Sequence, residues 1–423
     1  MSKAKPYDIS KKVVWEAYQR VKANRGAAGV DKQTLEEFEK DLKDNLYKIW
    51  NRMSSGSYFP PPVRLVEIPK GKGKRGLGVP TVSDRVAQTV AKMYLEPIVD
   101  HKFHEDSYGS RPGKSALEAV ATARKRCWRR NWVVDLDIRG FFDNLDWDLV
   151  LRAVRFHTDE KWLHLYIERW LRAPVEMADG TLVERTKGSP QGSVISPLMA
   201  NVFLNAVVDK WVSEWRRSQA KGDVIIVRYV DDVVFGFQYE FEGRAFQKAL
   251  RERLKAYELT LHPKKTRLVE FGRFAASNRR KRGQGKPETF DFLGFTHICG
   301  VTRRGKFSVR RKTIAKRLRR KVKEIKAELI KRMHNPLENT GAWLASVIRG
   351  FTNYHAVPGN MKAPREFYTQ IGRLWLWVIR RRSQKAKNRW TWERFYRLQR
   401  RWLPRPRLVH PYPGVRFDAK YSR

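Results

Sequence analysis

Cysteine is nearly absent from this 423-residue chain, with Cys127 and Cys299 as its two thiols. Two thiols exclude a disulfide framework and a four-thiolate zinc site, so stability must come from an apolar core in a reducing compartment. Long apolar runs are missing too: no stretch approaches the roughly 20 residues that span a bilayer. The opening MSKAKPYDISKK lacks the apolar centre of an export signal, which sets the expectation of a cytoplasmic protein without a membrane partner. Acids are few relative to bases: 44 Asp and Glu stand against 88 Lys and Arg, a formal charge of +44. Aromatics, by contrast, are plentiful. With 15 Trp, 15 Tyr, 21 Phe and a 41% hydrophobic fraction, a disordered polycation is excluded. A folded chain with this charge calls for a polyanionic partner.

The excess charge is unevenly spread. Residues 301–423 hold 34 Lys and Arg against 6 Asp and Glu, and they include six Trp. That shift sets an expected domain boundary near residue 300, between a mixed-charge front and a basic, phosphate-binding rear. Apolar spacing predicts helices over Asp8–Val21 and Thr34–Trp50. Tyr58-Phe59-Pro60-Pro61-Pro62 is a stiff extended linker. Val63–Pro69 and Leu77–Pro80 read as strands around a basic turn, Lys70–Gly76. Ser83-Asp84 is placed to cap a helix running to about Ile98. Trp132–Ile138 reads as a strand carrying two acids, Asp223–Phe237 as a hairpin and Asp291–Cys299 as a short strand. The Gly-rich basic segment Asn278–Lys286 reads as a mobile loop. Beyond 300 the pattern is chiefly helical, with Ile314, Leu318, Val322, Ile325, Leu329 and Met333 on one stripe. Lys316, Arg317, Arg319, Arg320, Lys323 and Lys326 lie on the opposite face. The fold class expected is α+β followed by an α-helical region.

The sharpest local signal is Val224–Gly236, where two β-branched runs flank Asp231-Asp232 at the expected turn. Adjacent carboxylates repel, and an ordinary tight turn would favour Asn-Gly or Asp-Gly. An acidic turn of no function and a site for a hard cation such as Mg²⁺ both fit this segment alone. Asp135-Leu136-Asp137 adds two acids on one face of a strand. A carboxylate from that strand meeting the hairpin pair would make the acidic cluster of a two-metal site, with ions roughly 3.5–4 Å apart.

These segments resemble, in order, the blocks of the reverse transcriptases encoded by bacterial group II introns, in the short form without an endonuclease domain. Arg25–Asp31 resembles the N-terminal extension. Ile68-Pro69-Lys70 through Leu77-Gly78-Val79-Pro80-Thr81 and Asp106–Gly113 resemble the fingers blocks. Asp137–Asn144, Gly188–Leu198, Tyr229-Val230-Asp231-Asp232, Leu261–Thr266 and Phe292–Phe295 resemble the palm blocks. Ile348-Arg349-Gly350 with Asn353-Tyr354 resembles the helical thumb or maturase domain, and Arg405–Pro413 the tail of shorter members. The resemblance implies a right-hand polymerase fold: N-terminal extension and fingers over 1–130, a palm with an antiparallel sheet over 131–300, a helical thumb or maturase (X) domain over 301–395, and a basic tail over 396–423.

It also implies an RNA-directed DNA polymerase acting on an RNA template, a DNA or RNA primer and dNTPs. It further implies binding to group II intron RNA, a maturase role in splicing and retromobility, and a bacterial cytoplasm. Two Mg²⁺ ions would sit on Asp137, Asp231 and Asp232 with the backbone carbonyl of Ile138, Asp135 being either structural or a support behind those ligands. Lys70 and Arg75 would grip the triphosphate, and Gln191 would line the nucleotide pocket, with Gly188 and Gly192 allowing close backbone approach. Phe142 would exclude a 2′-hydroxyl, with Phe141 as the competitor. Lys265, Arg317, Arg320 and Lys323 would hold primer and template. The chain departs from the family pattern at Val230, commonly Ala, at Gly192-Ser193 in place of two glycines, and at Gly76, usually Pro. Two other roles suit the same motifs: a group II intron-like reverse transcriptase recruited to host defence or DNA repair, and an RNA-binding splicing factor with a vestigial polymerase site.

Overall fold

The computed structural model describes residues 5–70, 73–263, 265–302 and 304–411, the side chains of residues 69 and 70 excepted. The strands are β1 Val63–Lys70, β2 Gly73–Val79, β3 Trp132–Leu136, β4 Val175–Glu176, β5 Leu182–Val183, β6 Val224–Tyr229, β7 Asp232–Phe237, β8 Arg267–Glu270, β9 Thr289–Phe292, β10 Phe295–Val301 and β11 Phe307–Thr313. They form three sheets, ordered β2-β1-β4-β5, β6-β7-β3-β8 and β11-β10-β9. Helices fill most of the rest, and none of those described is long and apolar enough to cross a membrane. Two compact units divide the chain. The first takes Met1–Ala116, Leu136–Val233 and Arg244–Arg267; the second takes Leu117–Asp135, Val234–Gly243 and Leu268–Arg423.

In the first unit the opening helix covers Lys11–Asn24, because the Ser10 hydroxyl accepts from the Lys12 amide and starts it there. The expected helix over Thr34–Trp50 is two, Leu35–Lys40 and Leu42–Ser55, parted at Asp41 where ψ swings to 41°. A capping box at Thr34 and Glu37 begins the first of them, each side chain satisfying the other residue's free amide. The supposed basic turn is also shorter than expected. β2 begins at Gly73, which sets Lys74 and Arg75 opposite Pro69 and Ile68 in the ladder.

The helix Val82–Asp100 starts earlier than Ser83-Asp84 capping would give, since Thr81 Oγ1 accepts from the Asp84 amide at 3.2 Å. Asp84 is instead inside the helix and buried. Its carboxylate accepts from Tyr58 Oη at 2.9 Å, Trp170 Nε1 at 2.7 Å and Gln88 Nε2 at 2.8 Å. Desolvation outweighs these three donors and raises its pKa to about 6.

The second unit corrects three expectations. Asp291–Cys299 is not one strand but the β9–β10 hairpin, turned by Leu293 and Gly294 at φ of 45° and 85°. The sheet continues past residue 300, because β10 pairs with β11 from Phe295–Thr313 to Val301–Phe307. Asn278–Lys286 is held: Ala275–Lys281 is helical, Arg282 pairs with Glu270, and Arg279 Nε donates to the Gly285 carbonyl at 3.1 Å. Beyond β11 the expected amphipathic helix is present as Ala315–Lys331. Ile325 and Leu329 are buried with Leu344, Ile348, Phe367 and Trp375, while Leu318, Val322 and Met333 pack at the margin. The region read as a tail opens inside the helix Trp392–Trp402, and its residues 412–423 lie outside the described residues. Burial pushes the Cys127 thiol up to about 12 and Cys299 up to about 11, so both are protonated and unreactive at neutral pH.

Asp84 makes stability pH-dependent. Its folded pKa lies above the unfolded 3.8, so the folded state holds the extra proton and its contribution is lost as pH rises from about 4 through about 6. Relative to Asp84→Asn, the wild-type chain should lose on the order of 3 kcal/mol across that window and change little above pH 7. Denaturant melts of both proteins over pH 4–8 check this; a constant difference between them would contradict it.

Candidate active site

The acidic hairpin is built as expected. β6 and β7 flank a bend at Val230-Asp231, with Asp232 opening β7. The bend is strained: Val230 is β-branched, buried, and adopts φ of 56° in the left-handed region, a conformation that costs on the order of 1–3 kcal/mol. Gly109 lies against it, and a Cβ there would come within 2.6 Å of the Val230 amide.

Behind the bend, Arg228 supplies what the strain requires. It is fully buried, and its Nε and Nη2 reach the two carboxylate oxygens of Asp209 at 2.8 and 2.5 Å. Nη1 donates to Asn201 Oδ1 at 2.9 Å and to the Val230 carbonyl at 3.2 Å. Asn201 Nδ2 in turn donates to the Gly109 carbonyl at 2.7 Å. The Arg228 backbone bonds to Asp106 and Tyr108, so β6 is braced on both sides of its ladder. Asp209 ends a π-helical turn, Asn205–Asp209, an irregularity that re-aims side chains along a helix. Sequence reasoning gave Arg228, Asp209 and Asn201 no role. The available signal was an arginine inside an otherwise apolar strand, which demands a buried partner.

Asp137 follows β3 directly. Its carbonyl accepts from the His262 amide at 2.8 Å, the Arg139 amide donates to Thr260 at 2.8 Å, and Ile138 pairs with Leu261 as an isolated antiparallel bridge. The Leu261–Thr266 segment thus lies beside the catalytic candidate, and Lys265 Nζ sits 2.6 Å from Asp137 Oδ2. Three carboxylates and a carbonyl are the hard oxygen donors that Mg²⁺ takes. Among the described residues, however, no three His, Cys, Asp or Glu side chains are gathered closely enough to hold an ion. The donor types suit a divalent cation; their assembly around one would require Asp137 to exchange the Lys265 ammonium for it.

Beside this region a cavity of about 570 Å³ is lined by Arg75, Gly78, Phe142, Lys187, Gly188 and Gln191, among others. Phe141 and Phe142 lie in a 3₁₀ turn, Phe141–Asp143, rather than on a strand. Phe141 is buried and packs toward Phe203 with ring centroids 6.5 Å apart, whereas half-buried Phe142 lines the cavity. Two candidates expected to act on the nucleotide are bonded to each other: Arg75 Nε donates to Gln191 Oε1. The Gln191 carbonyl accepts from the Gly78 amide at 2.6 Å. Gly188, at φ of 84°, lets the loop touch the 3₁₀ turn; a Cβ there would lie 2.9 Å from the Phe142 carbonyl. The side chain of Lys70 lies outside the described residues. Arg317, Arg320 and Lys323 belong to the second unit, on the exposed face of the helix Ala315–Lys331. There Arg317 and Arg320 line a cavity of about 430 Å³ with Tyr354 and His355.

The family pattern described as "Reverse transcriptase (RNA-dependent DNA polymerase)" matches residues 68–297, more than half of the chain. The Group II intron-encoded protein LtrA of Lactococcus lactis subsp. cremoris is 30% identical over 210 residues, 49% of this chain and 34% of LtrA. Protein YkfC of Escherichia coli (strain K12) is 33% identical over 224 residues, 48% of this chain and 57% of YkfC. The Putative COX1/OXI3 intron 1 protein of Saccharomyces cerevisiae is 31% identical over 209 residues, 49% of this chain and 25% of that protein. The shared stretch therefore spans a quarter to just over half of these relatives. Among solved structures, telomerase from Candida albicans with a fragment of telomeric RNA aligns with 84% of this chain and 68% of that one, at a TM-score of 0.46 and 13% identity.

Removing one partner of the buried Arg228–Asp209 pair leaves an uncompensated charge. Arg228→Met should cost about 3–5 kcal/mol, and adding Asp209→Leu should recover much of that loss. Urea denaturation of the full chain and both variants measures this; a single-variant cost under about 1 kcal/mol would show that the pair does not brace the bend.

Proposed function

The chain belongs to the reverse transcriptase (RNA-dependent DNA polymerase) family, and on that premise we propose that it extends the 3′ end of a primer on an RNA template, adding deoxynucleotides by nucleotidyl transfer. The observation that carries this reading is that one unit contains the strained Val230-Asp231-Asp232 bend, Asp137, and a cavity bordered by Arg75, Phe142 and Gln191. Asp137, Asp231 and Asp232 would hold two Mg²⁺ ions, with the Ile138 carbonyl as a further donor. Bound there, the ions would stabilise charge on the transferring phosphate and make the attacking hydroxyl more acidic.

The remaining work falls to the protein's own residues. Arg75 directs a cationic donor along the cavity wall, where triphosphate charge would be met. Its bond to Gln191 ties the two side chains together at that wall. Phe142 lines the cavity, where its ring would crowd a 2′-hydroxyl. Lys265 pairs with Asp137, and with a cation on that carboxylate its ammonium would be free to meet nucleic acid.

The right-hand arrangement of fingers, palm and thumb belongs to the same proposal. So does a thumb or maturase role for the basic helix bearing Arg317, Arg320 and Lys323. Relatives named as intron-encoded proteins support binding of group II intron RNA, with a part in its splicing and mobility. A second reading, an RNA-binding splicing factor with an idle polymerase centre, draws on the same relatives named as intron-encoded proteins.

Primer extension on an RNA template with Mg²⁺ and dNTPs separates the two readings. The wild-type chain should extend the primer, and Asp231→Asn should slow it on the order of 10³-fold, as loss of a principal charge-stabilising group does. Tight RNA binding without extension would instead establish the second reading. The two phenylalanines should part company in the same assay. Phe142→Val should admit ribonucleotides with little loss of stability, whereas Phe141→Ala should cost about 3–5 kcal/mol in a denaturant melt and leave sugar selection unchanged. Unchanged discrimination in Phe142→Val would place the gate elsewhere.

A further inference from the structure

We propose that Asp84 and Gln88 form a positioning dyad that sets the geometry of the Gly188–Leu198 loop, and through it the capture of the incoming nucleotide. The inference rests on the reading of the Arg75–Phe142–Gln191 cavity as the nucleotide pocket. It assigns a task to two residues that touch neither the cavity nor the acidic hairpin.

Asp84 and Gln88 stand four residues apart on the helix Val82–Asp100, one turn above the other, and both are 1% exposed. The hydrogen bonds between them run one way. Asp84 Oδ1 is claimed by Tyr58 Oη at 2.9 Å and Trp170 Nε1 at 2.7 Å, and Oδ2 by Gln88 Nε2 at 2.8 Å. The amide nitrogen of Gln88 is therefore fixed toward the carboxylate, and its oxygen must face the other way, toward the loop. There it meets three donors: Ser193 Oγ at 2.6 Å, the Val194 amide at 2.8 Å and the Ile195 amide at 3.4 Å. Reversing the Gln88 amide would set its nitrogen against these three donors and its oxygen against the Asp84 carboxylate. Donor and acceptor types fix the orientation without reference to hydrogen positions.

The consequence for the pocket follows from chain connectivity. Gln191 is two residues before Ser193. Its carbonyl is held by the Gly78 amide at 2.6 Å and its side chain by Arg75. The loop is thus pinned on one side to β2 and on the other to the buried helix, with the pocket-lining residue between the pins. Ser193, the residue that departs from the two-glycine pattern, supplies the hydroxyl that Gln88 receives. A glycine there would leave only the backbone amides to be held.

The polarity of this relay gives a rescue test with the full chain in single-nucleotide incorporation. In Asp84→Asn, Tyr58 and Trp170 claim the remaining oxygen, so the new amide nitrogen opposes Gln88 Nε2. In Gln88→Glu, two carboxylates face each other in the core. When both substitutions are made, the amide introduced at position 84 donates to the carboxylate introduced at position 88. The second oxygen of that carboxylate still accepts the three loop donors. Each single variant should raise KM for dNTP about tenfold, the scale of one lost hydrogen bond to a buried charged group, with a smaller change in kcat. Asp84→Asn/Gln88→Glu should return to within about threefold of wild type, since the interaction is pairwise.

Ser193→Ala, a milder change that preserves the helix and core, should raise KM for dNTP about threefold without lowering the melting temperature appreciably. Template–primer affinity should be unchanged in all four variants. A dyad that only stabilises the fold would lower the melting temperature, kcat and template affinity together and leave the Ser193→Ala KM at the wild-type value; that result overturns the proposal. Single variants within about twofold of wild type, or a double variant no better than the singles, overturn it as well. Wild-type protein that binds template–primer yet incorporates nothing would remove the pocket reading itself, and the dyad's assignment with it.

Discussion

A buried ion pair fixes the bend on which the proposed chemistry depends. The Val230 bend places Asp231 and Asp232 side by side in a conformation that a β-branched residue does not choose. Arg228 makes it stable by bonding Asp209, Asn201 and the bend's own carbonyl from a position without solvent access. The attraction between guanidinium and carboxylate does not by itself guarantee stability, because both ions give up hydration. What it provides is geometry: a planar fork with fixed directions can be satisfied in one arrangement only, and that arrangement includes the bend. A bulky residue beside the acids is tolerable because its backbone is held from behind.

Much of the local structure around the proposed site was legible in the sequence. The β-branched runs on either side of Asp231-Asp232 announce two strands and a turn, and those are β6 and β7. Asp137 follows a run that could be little other than a strand. Phe141 and Phe142 are told apart only by the 3₁₀ turn, which sends one ring into the core and the other to the cavity. The partners of Arg228 and Gln88 were not legible. Asp209 and Ser193 lie 19 and 105 residues away, and no local pattern encodes which buried donor will meet which acceptor.

The misread stretches share a cause: charge or apolar continuity hid the period. In β11 the inward residues are Val309, Arg311 and Thr313, a strict alternation that the buried arginine makes look like a basic run. In β9 and β10 the apolar sequence passes unbroken through a two-residue turn at Leu293-Gly294, so one strand is read where two exist. At the head of the helix Val82–Asp100, three oxygen-bearing or acidic candidates compete for the cap. Thr81 takes it because Asp84 is drawn inward by Tyr58, Trp170 and Gln88, a preference that only tertiary structure supplies.

The interleaving of the two units bears on how the protein is made. Leu117–Asp135 and Val234–Gly243 belong to a unit whose remainder begins at Leu268. On a ribosome adding about 5–20 residues per second, the first of these segments waits on the order of ten seconds for its partners. During that interval a strand of the second unit emerges with apolar surface that nothing yet covers, and the growing chain's own positive charge would be near cellular RNA throughout. Nascent molecules of this protein thus have reason to meet chaperones, or their own message, before they are complete.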